Sequence, residues 1–100
     1  MALVDSRMNS REVTISVKGR FDFNTHADFR RSYESLDELP ESVRIDLRDA
    51  TYVDSSALGM LLLLRDYAGG DEANVAIDNC NADVKRVLTV ASFGQLFDIR

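Results

Sequence analysis

The sequence predicts a mixed α/β domain with a largely parallel sheet, and three observations carry that expectation. Apolar residues alternate at a period of two in Val13-Ile15-Val17 and Val43-Ile45-Leu47, as in half-buried strands. They recur at helical spacing in Phe29-Tyr33-Leu36 and in Val84-Val87-Leu88-Ala91. The two kinds of segment alternate along the chain, which calls for crossover connections and parallel neighbours. A chain of 100 residues, 45% hydrophobic and without a linker or repeat, is expected to form one domain over residues 1–100.

Taken in order, residues 2–7 read as a weak first strand. Residues 13–18 read as a second, and Asn9 and Ser10 join the two as a hairpin, the antiparallel component. Gly19 ends the second strand. Thr25 followed three residues later by Asp28 resembles a capping box that opens the helix carrying Phe29, Tyr33 and Leu36. Val43 to Leu47 is a short strand, and a polar link leads to a helix over residues 57–68, stopped by Gly69 and Gly70. Residues 74–78 form another strand, Asn81 caps a third helix, and Leu96, Phe97 and Ile99 make a last edge strand. The expected order is ββαβαβαβ.

Composition removes several function classes. A formal net charge of −5 argues against nucleic acid, whose binding depends on clustered Lys and Arg. Cys80 is the single cysteine, so no internal disulfide and no Cys-rich zinc site can form, which fits a reducing compartment. The longest apolar run, Ala57 to Leu64, falls far short of the ~20 residues of a membrane span, and the N-terminus lacks a signal-peptide pattern. The cytoplasm is expected, without membrane insertion. His26 has no second His or Cys near it in sequence, and no Gly-rich nucleotide loop is present. No metal, no cofactor and no catalytic residue is expected, and the chain does not read as an enzyme.

The candidate site is Tyr52-Val53-Asp54-Ser55-Ser56-Ala57-Leu58-Gly59, where a loop becomes a helix. Asp and Ser are ordinary N-cap residues, so capping alone accounts for them on local grounds. A helix N-terminus also receives anions, because its first N–H groups lack intrahelical partners and the macrodipole is positive there. A serine at this point could therefore also carry a phosphate, although capping is the commoner use of such residues. In the helix that follows, Ala57, Met60, Leu61, Leu64 and Ala68 share one side, leaving Leu62 and Leu63 flanking Gly59 and Asp66 on the other. An exposed apolar patch beside Ser55 is expected, which serves either as a partner surface or as a site of extra core coverage.

At these residues the chain resembles STAS-domain proteins of the anti-sigma factor antagonist family. Gly19-Arg20-Phe21-Asp22 with Thr25 matches the family's Gly-x-x-Asp turn. Ile45-Asp46-Leu47 followed by Tyr52 to Gly59 matches its signature, and Gly69-Gly70 and Asp83-Val84-Lys85-Arg86-Val87-Leu88 fall at a Gly-Gly turn and a Val-Lys-Arg helix. The resemblance implies a phospho-switch. The unphosphorylated protein binds a GHKL-type serine kinase or anti-sigma factor, that kinase phosphorylates the serine after the Asp, and a PP2C-type phosphatase reverses it. That serine is Ser55 here, with Ser56 as runner-up. Asp22, Asn24, Thr25, Asp54, Ser56, Gly59, Leu62 and Leu63 are the implied docking residues. An alternative within the family is an accessory subunit of a lipid ABC transporter, which binds its ATPase constitutively and usually lacks the Ser-Ser pair. A nucleotide pocket of Asp22, Asp54 and Ser55 ranks below both.

Overall fold

The structure, a computed structural model, describes residues 3–36 and 40–100. Its elements run β1 (Leu3–Asn9), β2 (Glu12–Phe21), α1 (His26–Glu34), β3 (Ser42–Asp46), β4 (Ala50–Val53), α2 (Ser55–Tyr67), β5 (Val75–Asp78), α3 (Ala82–Val90) and β6 (Asp98–Ile99). Single turns of 3-10 helix occupy Phe23–Thr25, Gly70–Glu72 and Phe93–Gln95. Strand order is β1-β2-β3-β5-β6, with β4 also on β2. The β1–β2 hairpin is antiparallel and every other pairing is parallel, as expected for helical crossovers.

The helices share one face of the sheet. Val13, Ile15, Val17, Val43, Ile45, Val75 and Ile77 join Phe29, Tyr33, Leu61, Leu64, Val84 and Leu88 in a single buried cluster. Burying side chains of this size contributes about 1.5–3 kcal/mol each. The opposite face bears charges: Arg44 lies 2.9 Å from Asp78, Asp78 lies 2.9 Å from Arg100, and Arg44 reaches Glu12 at 3.9 Å.

Four expectations need correction. The stretch taken for a polar link contains β4, so the order is ββαββαβαβ. Only its end residues, Ala50 and Val53, are buried, so it shows no alternation, and pairing with β2 is what makes it a strand. Gly19 does not end β2. With φ 85° it absorbs a register shift, and the strand continues to the buried Phe21. The capping box is not Thr25 with Asp28. It is Asp22 with Thr25, closing the 3-10 turn that precedes α1, while Thr25 makes no side-chain cap on α1. Leu96 and Phe97 lie outside the last strand: the Phe97 N–H donates to the Phe93 carbonyl at 2.9 Å, leaving Asp98 and Ile99 to pair with β5.

Other boundaries move less. The first strand extends to Asn9, and Ala2, its expected start, lies outside the described residues. Helix α2 begins at Ser55, and Ala68 and Gly69 (φ 128°) terminate it. Asn81 caps α3 as expected.

Candidate functional site

Strands β3 and β4 follow one another along β2, the first beside Glu12–Ser16 and the second beside Gly19–Phe21. Phe21 is paired with Val53 in parallel. The next residue of each strand, Asp22 and Asp54, therefore leaves the same end of the sheet. Both become caps. Asp22 Oδ1 accepts from the Asn24 N–H at 3.0 Å, and Asp54 Oδ1 accepts from the Ala57 N–H at 3.0 Å. Two acidic caps on neighbouring strands thus frame one patch of surface, which the register produces and local sequence cannot show.

Ser55 is the first residue of α2 and is exposed. Its hydroxyl has no hydrogen bond among the described residues, so the cap is complete without it. Ser56 is half-buried. Asn24 is exposed, whereas Thr25 is only 3% exposed, its hydroxyl donating to the Arg20 carbonyl at 3.1 Å. Thr25 therefore lies beneath the expected docking surface and holds the Asp22 turn in shape.

Along α2, Ala57, Met60, Leu61 and Leu64 are buried, while Leu62 and Leu63 are exposed at 38% and 53%, as the helical wheel requires. Gly59 is exposed, and a Cβ built there would meet nothing within 4 Å. Four residues from Ser55, it stands on the same side of the helix and leaves bare backbone between the serine and the leucines.

Sequence reasoning missed two contributors. Phe23, directly after the Asp22 cap, is 71% exposed and stacks loosely on His26. Its signal was available, since it stands outside every apolar periodicity. The other is Arg20, whose guanidinium lies 4.1 Å from the Tyr52 ring centre and whose Nε is 3.5 Å from Asp22 Oδ2. Arg20 thus places a positive charge against one of the two caps. Among the described residues no group of His, Cys, Asp and Glu could hold a metal, and no helix is long and apolar enough to cross a membrane.

The fold agrees with comparisons to known proteins. The family model described as Mlab, STAS domain, matches residues 4–98, and the chain belongs to the STAS-domain family. A STAS-domain containing protein of Pseudomonas aeruginosa (strain UCBPP-PA14) is 52% identical over 91 residues, covering 91% of this chain and 90% of the relative. Among solved structures, an anti-sigma factor antagonist from Mycobacterium paratuberculosis superposes with a TM-score of 0.86 at 16% identity, over 99% of this chain and 85% of that one. The anti-sigma factor antagonist SpoIIAA in its unphosphorylated form gives 0.83 at 16% identity, over 98% and 88%. The fold is that of the anti-sigma factor antagonists.

Proposed function

We propose that this chain is a phospho-switch of the anti-sigma factor antagonist type, with Ser55 as the acceptor. The observation that carries the reading is the Ser55 hydroxyl, which is exposed, unbonded and at the first position of a helix already capped by Asp54. A serine kinase would transfer the γ-phosphoryl group of ATP to it. The serine Oγ–P bond forms, the bond from the γ-phosphorus to the bridging oxygen breaks, ADP leaves, and a base on the kinase takes the hydroxyl proton.

The product gains about −1.5 to −2 charges. The free N–H groups of α2 favour a phosphate there, and Arg20 supplies a neighbouring cation, while Asp54 and Asp22 repel it. Charge thus accumulates at the start of the exposed side of α2 that carries Gly59, Leu62 and Leu63. A partner that buries this apolar surface must then desolvate a phosphate, and release follows. The partner in this reading is a GHKL-type serine kinase or anti-sigma factor, and a PP2C-type phosphatase restores the binding form.

The test is intact-mass analysis of protein from its own host, with peptide mapping of residues 52–60, together with partner capture by variants. One added phosphoryl group on Ser55 is expected. Ser55→Asp should weaken capture of the kinase about 100-fold, or about 2.7 kcal/mol, while Ser55→Ala captures it constitutively. If neither substitution alters capture, the switch fails and the constitutive accessory subunit of a lipid transporter takes its place.

A further inference from the structure

We propose that the free edge of β1 is a self-pairing surface, through which two copies of this chain join antiparallel about a two-fold axis at Ser6. The two edges of the sheet are unlike. β6 is two residues long, too short to template another strand. β1 is seven residues long, pairs with β2 in unbroken register from Leu3↔Lys18 to Asn9↔Glu12, and is exposed at every residue from Asp5 to Asn9. It has neither the proline nor the bulge that usually blunts such an edge.

The segment Val4-Asp5-Ser6-Arg7-Met8 is complementary to its own reverse. Antiparallel pairing about Ser6 sets Asp5 against the partner's Arg7, Arg7 against the partner's Asp5, and Val4 and Met8 against each other. Neither Asp5 nor Arg7 has an ion pair among the described residues, and Met8 is 45% exposed. Moving the axis to Asp5 or to Arg7 would place like charges opposite, which is destabilising, and a one-residue slip would turn the apolar residues to the wrong face.

The backbone agrees. The hairpin loop is Ser10-Arg11, and Ser10 takes the left-handed conformation (φ 57°) that a tight turn needs. The pair flanking a two-residue loop, Asn9 with Glu12, exchanges main-chain hydrogen bonds, and bonded pairs alternate from there. Asn9, Arg7 and Asp5 therefore bond to β2, and Met8, Ser6 and Val4 turn their N–H and C=O groups outward. The two-fold then falls on a bonded Ser6 pair. Asp5 meets the partner's Arg7 in the closer non-bonded pairing, where side chains interact best. Val4 and Met8 lie on the helix side, opposite Val17 and Val13 of the core, and the axis keeps both helical layers on one face.

Pairing doubles the six-stranded sheet and sends the two Ser55 surfaces to opposite ends, so a dimer presents two independent docking sites. One strand pair buries less than the ~1,200 Å² at which stable interfaces begin, so the association is weak. Sedimentation equilibrium of the whole chain, from about 1 µM to about 1 mM, should show mass rising from monomer to dimer. Arg7→Asp and Asp5→Arg should each weaken it at least about tenfold, and an equimolar mixture of these two variants should associate, because each then offers the other opposite charges. Ser6→Pro removes an outward N–H, leaves the β2 pairing intact and should give a monomer, its fold checked by circular dichroism. A wild type that stays monomeric to about 1 mM overturns the proposal. So does a dimer that survives Ser6→Pro, or a mixture of the charge variants that fails to associate.

Discussion

Helices α2 and α3 both follow a strand of the parallel sheet, and both are entered through an extended residue whose side-chain oxygen accepts from the N–H three residues on. Asp54 accepts from Ala57 at 3.0 Å, and Asn81 from Val84 at 2.9 Å. Beyond that shared device they diverge. Asn81 commits its amide nitrogen as well, donating to the Ala50 carbonyl at 2.9 Å and so tying α3 to β4. Its successor is Ala82, which has no functional group. Asp54 is followed by Ser55, whose hydroxyl is exposed and unbonded. One helix start is consumed by architecture, and the other is capped and still carries a nucleophile. Capping at Asp54 therefore does not exclude modification at Ser55, because the cap uses the Asp54 carboxylate and leaves the Ser55 hydroxyl unbonded.

The widest separation between the two starts is expected from Asn81→Ala. It removes the cap on the Val84 N–H and the tie to the Ala50 carbonyl, which should cost about 2 kcal/mol, or roughly 10 °C in Tm. Partner capture should stay unchanged. A loss of capture at full stability would mean that α3 belongs to the docking surface.

A smaller effect of opposite sign is expected on α2. Gly59→Ala places a methyl group where nothing lies within 4 Å and removes the cost of a mid-helix glycine, so urea unfolding should show a gain of about 1 kcal/mol. If the bare backbone is a docking feature, the same variant should capture the kinase about tenfold less well, or about 1.4 kcal/mol. Stabilisation without loss of capture would remove Gly59 from the surface.

The smallest effect concerns Cys80, the nucleophile beside the α3 cap. Burial raises its thiol above the ordinary 9.0, against an opposing contribution from Lys85, with Asp78 and Asp46 adding to the rise. The fold thus prefers the protonated form. That stability is present below 9.0 and is lost as pH climbs through the raised value, because the unfolded chain releases the proton first. Tyr33, raised from 10.0 chiefly by burial, acts in the same direction at higher pH. Urea midpoints should fall between about pH 8 and pH 11, and Cys80→Ser should remove only the lower part of that fall. Slow alkylation of Cys80 at neutral pH would confirm that the α3 start holds an inert nucleophile.

Periodicity by itself determined much of this molecule. Val13-Ile15-Val17 and Val43-Ile45-Leu47 declared their strands. The spacing of Ala57, Met60, Leu61 and Leu64 declared the buried side of α2, and so put Leu62 and Leu63 outside. Asn81 declared its cap. These are local signals, because a side chain's direction depends on its own backbone and nearest turn. Tertiary structure alone decided β4, whose buried residues stand only at its ends, and the passage of β2 through Gly19 to Phe21. It also decided that Asp22 and Asp54, 32 positions apart in sequence, leave the sheet side by side, and that Thr25 sits below the surface. Strand pairing couples residues distant along the chain through main-chain hydrogen bonds that every residue type can make, so no local pattern records it. The capped helix start at Asp54-Ser55 could be read from its neighbours in sequence; the acidic frame around it could be read only from the register.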